Sequence, residues 1–303
     1  MDNDFLQSLR HSDDLLGSSV IWLRENPVSV TDCGSLHEEI KKALSSSPDL
    51  SEKWSSISPD FATCCFREVC GYEPHPHNEA FRAWIEEQGF SLSTIFPETT
   101  VDHLVPLDLS PESAWLEGMP DGQDLDRFDE QIQQLQAENP GGLIAGGYLE
   151  PRKLYTTSAY ERQGANGLEY RSVHLGVDYW LPVGTPVHAV TDGVVVCATF
   201  QPDQKEYGGL VILRHQFEGK PFFTLYGHLS HRTVLSLREG DFLLGGNRIG
   251  ELGPKEENGW WVPHLHFQFM LGMLDYQNDF PGVAYPSELA VWKSICPEPV
   301  FGS

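Results

Sequence analysis

Hydrophobic and polar residues follow two different rhythms along this chain. Up to about residue 140 the helical spacing of three and four dominates. Ser35-Leu36-His37-Glu38 has the form of a capping box, and Ile40, Ala43 and Leu44 follow it on one side of Lys41 and Lys42. Asn78 can cap a second helix that carries Phe81, Trp84 and Ile85 and stops at Gly89. Ser110 and Pro111 begin a third, and Leu125, Phe128, Ile132 and Leu135 mark a fourth, halted by Asn139-Pro140-Gly141-Gly142. From Gly147 onward, short apolar runs broken by glycine, proline and asparagine predict strands at 172–179, 186–190, 193–199, 209–215, 222–227, 248–252 and 264–270. The expected architecture is α+β. A mainly helical region over 1–142 precedes a β-sheet domain over 143–303, with the Pro-Gly-Gly stop as the boundary.

Charge sharpens this division. Residues 1–140 hold 27 acidic and 8 basic side chains, and residues 141–303 hold 17 and 12. The net charge of -24 argues against nucleic acid as a partner, because phosphate binding rests on lysine and arginine. The start, Met1-Asp2-Asn3-Asp4-Phe5-Leu6, lacks the basic and apolar regions of a secretory signal, and no stretch approaches the ~18 apolar residues of a membrane span, so a cytoplasmic setting is expected. The six cysteines are then expected to be reduced. Cys64, Cys65, Cys70, His75 and His77 are all possible metal ligands, but Pro74 and Pro76 suggest an extended loop, and buried free thiols are the expectation there.

The candidate chemistry lies in the second half. In Trp260-Trp261-Val262-Pro263-His264-Leu265-His266-Phe267-Gln268-Phe269, strand alternation places His264 and His266 on one face and turns Leu265 and Phe267 into the body of the domain. Alone, that pair is compatible with ordinary polar positions. A second pair sits in Val173-His174-Leu175-Gly176-Val177-Asp178, where Gly176 has no side chain to block a cation between His174 and Asp178. Together the two segments offer two imidazole ligands and a carboxylate with one histidine left over. Three protein ligands leave a fourth tetrahedral position open, the arrangement of catalytic zinc. His228, in Leu225-Tyr226-Gly227-His228-Leu229, would supply a second non-ligand imidazole. His188, His215 and His231 read as structural or surface residues. Trp260 and Trp261 suit either a groove wall or simple packing.

His-x-x-x-Asp, Tyr-x-His-Leu and His-Leu-His-Phe, in this order over about ninety residues, resemble the lysostaphin-type (LytM-type) zinc metallopeptidases that cut peptides of bacterial peptidoglycan. Pro182-Val183-Gly184-Thr185-Pro186-Val187, Asp192-Gly193-Val194-Val195, Gly240-Asp241 and Arg248-Ile249-Gly250 resemble the turns and strands of that domain, and the similarity covers roughly 170–270. It implies an antiparallel β-sheet domain with a groove over the metal. It makes His174, Asp178 and His266 the zinc ligands, His264 the general base and His228 the group that stabilises the tetrahedral intermediate. The sequence departs from the family at Gly253 to Pro263, where a short Thr-Gly-x-Ser-x-Gly-Pro approach is common, and at Gln268, where glutamate is usual. A looser resemblance, carried by 148–157 and Leu107-Asp108-Leu109-Ser110, is to the middle of fused chains that join a kinase-like phosphotransferase, a lysostaphin-like domain and a class III aminotransferase.

The function expected from these readings is zinc-dependent hydrolysis of peptide bonds, with peptides or peptidoglycan fragments as substrates. The alternatives are a zinc-binding regulatory or accessory module without peptidase activity and a hydrolase of small amides.

Overall fold

The computed structural model describes residues 3–301 apart from 10–11, 13, 27–34, 114, 116–124 and 156–157. Among the described residues, seven helices come first: α1 (Asn3–Leu9), α2 (Leu15–Glu25), α3 (Ser35–Leu44), α4 (Pro48–Ser55), α5 (Pro59–Val69), α6 (Asn78–Gln88) and α7 (Leu92–Ile95). Their ends carry recognisable signals, although Asn78 is the first residue of α6 instead of its cap, its side-chain amide donating to Glu73. The Asp14 carboxylate accepts from the Gly17 N–H to cap α2, Ser58 caps α5 ahead of Pro59, and Gly89 takes the left-handed conformation after α6. After β1 (His103–Pro106) come α8 (Leu125–Glu138) and β2 (Gly142–Gly146).

The remaining chain is built mainly of strands. These are β3 (Glu161–Gly164), β4 (Gly167–Tyr170), β5 (Val173–His174), β6 (Val177–Trp180), β7 (Pro186–His188), β8 (Gly193–Gln201), β9 (Gly208–Phe217) and β10 (Lys220–Leu229). After α9 (His231–Ser236) follow β11 (Phe242–Leu243), β12 (Arg248–Glu251), β13 (His264–Met270), β14 (Val283–Ala284) and α10 (Leu289–Ile295).

Eight strands form one sheet in the order β1-β2-β6-β13-β10-β9-β8-β11, antiparallel throughout except for the parallel pair β1 and β2. The fold is therefore α+β, with a mixed, mostly antiparallel sheet. Strand β13 lies near its middle and is buried along its whole length. Leu265, Phe267 and Phe269 point to one face, where they join Phe81 and Ile85 of α6 and Phe96 in an apolar cluster. The opposite face carries His264, His266 and Gln268, and beyond them Met270 packs with Leu225, Trp292 and the core of helices α1 to α5. One continuous apolar cluster thus joins the helical region to the sheet.

Two expected elements differ from the observed ones. Ser110 and Pro111 open a turn closed by the Ser113 N–H on the Ser110 carbonyl instead of a helix, and most of the segment after it lies outside the described residues. The strand expected at 172–179 is broken into β5 and β6. The break falls at Leu175-Gly176, where the chain leaves β14 and joins β13.

His215 is a structural residue. Its Nδ1–H donates to the Asp192 carbonyl and its Nε2 accepts from the Thr224 hydroxyl, and burial lowers its pKa to about 4. A histidine held neutral in the folded state stabilises fully above its unfolded pKa of about 6.5, and that contribution is lost as pH falls towards 4. His215→Leu is expected to be less stable than the wild type at pH 7.5. The gap, measured by urea unfolding, should narrow by roughly 2 kcal/mol at pH 5.

Candidate metal centre

Three polar atoms converge beside β13. His174 Nε2 lies 2.8 Å from His266 Nδ1, and Asp178 Oδ1 lies 3.1 Å from His266 Nδ1 and 3.3 Å from His174 Nε2. All three residues are buried. Their neighbours fix which ring nitrogens carry protons. His174 Nδ1 is 2.9 Å from the Gly147 carbonyl, which can only accept, so the proton sits on Nδ1 and Nε2 presents a bare lone pair. His266 Nε2 is 3.0 Å from Gln268 Oε1, and the Gln268 amide is oriented by donation from its Nε2 to the Pro281 carbonyl. His266 Nδ1 is therefore bare as well.

Two lone pairs and a carboxylate oxygen within hydrogen-bond distance, with no proton between them, repel one another unless a cation sits among them. Four-coordinate zinc with bonds of about 2.0–2.2 Å needs ligand spacings of roughly 3.3–3.5 Å, close to the edges of this triangle. The donor set fits zinc. Gly176 makes the convergence possible, since a Cβ there would lie 2.6 Å from the Phe267 carbonyl oxygen and 2.7 Å from His266 Nε2. The glycine thus admits the His266 ring and the neighbouring strand, a tighter demand than leaving space for an ion.

The two remaining histidines are held by the same device. His264 Nδ1 donates to the Val262 carbonyl at 2.7 Å, leaving Nε2 bare and 3.6 Å from Asp178 Oδ1. His228 Nδ1 donates to the Asn258 carbonyl at 2.9 Å, and its ring centroid is 4.2 Å from that of His264. His228 reaches this position through an irregularity in β10 between Tyr226 and Leu229, with φ +65°. Such left-handed backbone is strained for a residue with a Cβ and re-aims the side chain. Trp180 stacks on His264, with centroids 5.7 Å apart.

Burial keeps the imidazoles of His174, His228 and His264 neutral. It lowers His174 to about 4, aided by Arg152, and it depresses His264 and, together with its histidine neighbours, His228. For Asp178 burial opposes the charge, but its polar surroundings, in which the Arg152 guanidinium is the permanent cation, hold the carboxyl well below the usual range. Arg152 is the partner that the sequence did not single out. Buried beside the site, it bonds Asp178 Oδ2 and Glu150 Oε2, each at 2.7 Å, and so leaves Asp178 Oδ1 to face the two histidines. The signal was a charged Glu-Pro-Arg-Lys run between Tyr148-Leu149 and Leu154-Tyr155.

The centre opens into a cavity of about 90 Å³, walled by Tyr155, Tyr160, Trp261 and Phe280 and by Leu109 and Phe128 from the helical region. Trp261 is buried against Tyr155, whereas Trp260 turns outward. Tyr226 lies on the far face of the sheet, its hydroxyl accepting from the Val190 N–H. Cys64 and Cys65 are free and buried in α5, with burial pushing the Cys64 thiol up to about 12. Cys33 lies outside the described residues. Among the described residues, the cysteines and His75 and His77 do not converge on a metal-binding point.

The model of peptidase family M23 matches residues 172–278, the segment that holds all five histidine and aspartate positions of this centre. The C-terminal half carries an M23 peptidase domain. Over 96 residues it is 40% identical to the DD-carboxypeptidase/endopeptidase Mpg of Neisseria meningitidis serogroup B, covering 32% of this chain and 20% of that protein. It is 36% identical over 98 residues to the peptidoglycan DD-endopeptidase ShyC of Vibrio cholerae, with the same coverage. The matched M23 segment thus spans about a fifth of these relatives' length. Among solved structures, the catalytic domain of lysostaphin from Staphylococcus simulans is 27% identical, covering 39% of this chain and 80% of that one at a TM-score of 0.28.

Gln268 gives this M23 centre a testable feature. Gln268→Leu removes the acceptor that fixes the His266 tautomer and is expected to weaken zinc binding by about 10–100-fold. Gln268→Glu keeps an acceptor and should hold zinc at least as tightly. Competition with a chromophoric chelator measures both, and equal affinity in the Leu variant would remove Gln268 from the argument.

Proposed function

We propose that this M23 domain is a zinc-dependent hydrolase of peptide bonds acting on short, soluble peptides of the peptidoglycan type. The observation that carries the reading is the set of four histidines, each with one nitrogen donating to an oxygen acceptor and the other left bare on the cavity side of the sheet. His174, Asp178 and His266 would hold the metal. Zinc bound there supplies a Lewis acid that activates water near neutral pH and polarises a substrate carbonyl.

The protein's own groups then move the proton. His264 Nε2, the bare nitrogen 3.6 Å from Asp178 Oδ1, is the base that receives it. His228 is an acceptor in its resting tautomer, because its only N–H is committed to Asn258. It can therefore stabilise a developing oxyanion only after gaining a proton, which its contact with His264 makes available. Arg152 holds Asp178 ionised and oriented throughout. The cavity of about 90 Å³ favours fragments over a cross-linked polymer. A reducing, cytoplasmic setting belongs to the same proposal, supported by the buried free thiols.

His264→Ala is expected to keep one zinc per chain and lose about 10²–10⁴-fold in turnover of muropeptides or oligoglycine peptides. His266→Ala should lose both metal and activity. Metal analysis alongside a cleavage assay reads the two together, and undiminished cleavage by the His264 variant would sink the mechanism.

A further inference from the structure

Arg171 stands where two cavities meet. The small cavity at the metal centre shares Arg171, Pro281 and Val283 with a second one of about 770 Å³. The larger is walled on one side by Leu15, Ile57 and Phe61 of the helical region and on the other by Tyr276 and Tyr285. A cleft between the two parts of the chain therefore adjoins the cavity of the metal centre, with Arg171, Pro281 and Val283 common to both.

The arginines around this cleft differ in what they still have to offer. Arg162 is fully engaged by Glu169, Glu288 and Asp14 and lies over the Tyr285 ring. Arg152 is held by Asp178 and Glu150 through Nη1 and Nε, and its one spare nitrogen, Nη2, is buried beside the metal-centre residues rather than at the cleft. Among the described residues, the Arg171 side chain has neither an ion-pair nor a hydrogen-bond partner. Its Nε is buried without a partner, and its guanidinium lies over the Tyr160 ring, 5.4 Å from the centroid. A half-buried guanidinium stacked on an aromatic ring, with a dry Nε and its Nη donors open to the cleft, is a preformed receptor for a planar anion. The carboxylates of Glu206 and Asp279 line the small cavity, Glu206 within electrostatic reach of Arg171 but not in an ion pair with it, so an anion is favoured at the guanidinium itself and disfavoured deeper in the site.

We infer that Arg171 anchors the free C-terminal carboxylate of a short peptide lying in this cleft, so that the bond presented to the metal centre is close to that terminus. This rests on the hydrolase reading above and deepens it by naming an end-directed specificity. It also gives the helical region a task, as the outer wall of the substrate cleft.

The test is calorimetric binding of N-acetyl-alanyl-alanine, in its LL and DD forms, and of the matching C-terminal amides. The protein is the zinc-loaded full chain with His264→Ala, so that the ligand is not consumed. At least one acid form should bind tenfold or more tightly than its amide. Adding Arg171→Met should abolish that preference at unchanged zinc content, and Arg171→Lys should retain part of it. Equal binding of acid and amide, no binding of either, or a preference that survives Arg171→Met would overturn the anchor. A preference lost with Arg171, in a protein whose wild type cleaves neither peptide, would support the anchor and count against the hydrolase reading alone.

Discussion

Everything at this centre depends on three acceptors held together with no proton among them. His174 Nε2, His266 Nδ1 and Asp178 Oδ1 occupy a triangle that only a cation can stabilise. The fold maintains it by spending the opposite side of each group on a fixed partner. The Gly147 carbonyl, the Gln268 amide and the Arg152 guanidinium take up those sides, and none of these side-chain partners can rotate without losing a second interaction of its own. Preorganisation of this kind is what second-layer hydrogen bonds contribute to metal sites.

Burial turns that arrangement into a reactive one. Desolvation lowers the pKa of His174, His228 and His264, so their bare nitrogens are available as ligand or base at neutral pH. The same burial would be ruinous for the carboxylate if Arg152 were absent, because an unpaired buried charge is costly. The walls that provide the burial come from both parts of the chain, with Leu109 and Phe128 on one side and Trp261 and Phe280 on the other. Access and desolvation are thus coupled: the residues that narrow the cavity also set its electrostatics.

The helices at Ser35 and Asn78 and the run of strands from Gly193 to Met270 were legible because their apolar period survives in the fold. The face assignment of β13 was equally legible, since strand alternation is a local property. It separated His264 and His266 from Leu265 and Phe267, as the packing of the latter two against α6 demonstrates. The strand β1, which joins the sheet in parallel beside β2, was not legible. Four residues between loops carry no period long enough to read, and their pairing is a long-range event.

What the chain determined by itself was therefore the inventory: the histidines and aspartate in order, their strands, and the side of each strand they occupy. Tertiary structure alone decided the protonation of each ring and the charge of Asp178, because those depend on a carbonyl or guanidinium brought from a distant segment. It also decided that Gly176 serves the approach of His266, and that Arg171, where two cavities meet, has no ion-pair partner among the described residues while Arg152 and Arg162 do. Sequence fixes which groups are present. Hydrogen bonding, desolvation and room for a ligand arise between segments far apart in the chain, and they exist only once the sheet and the helices have closed around one another.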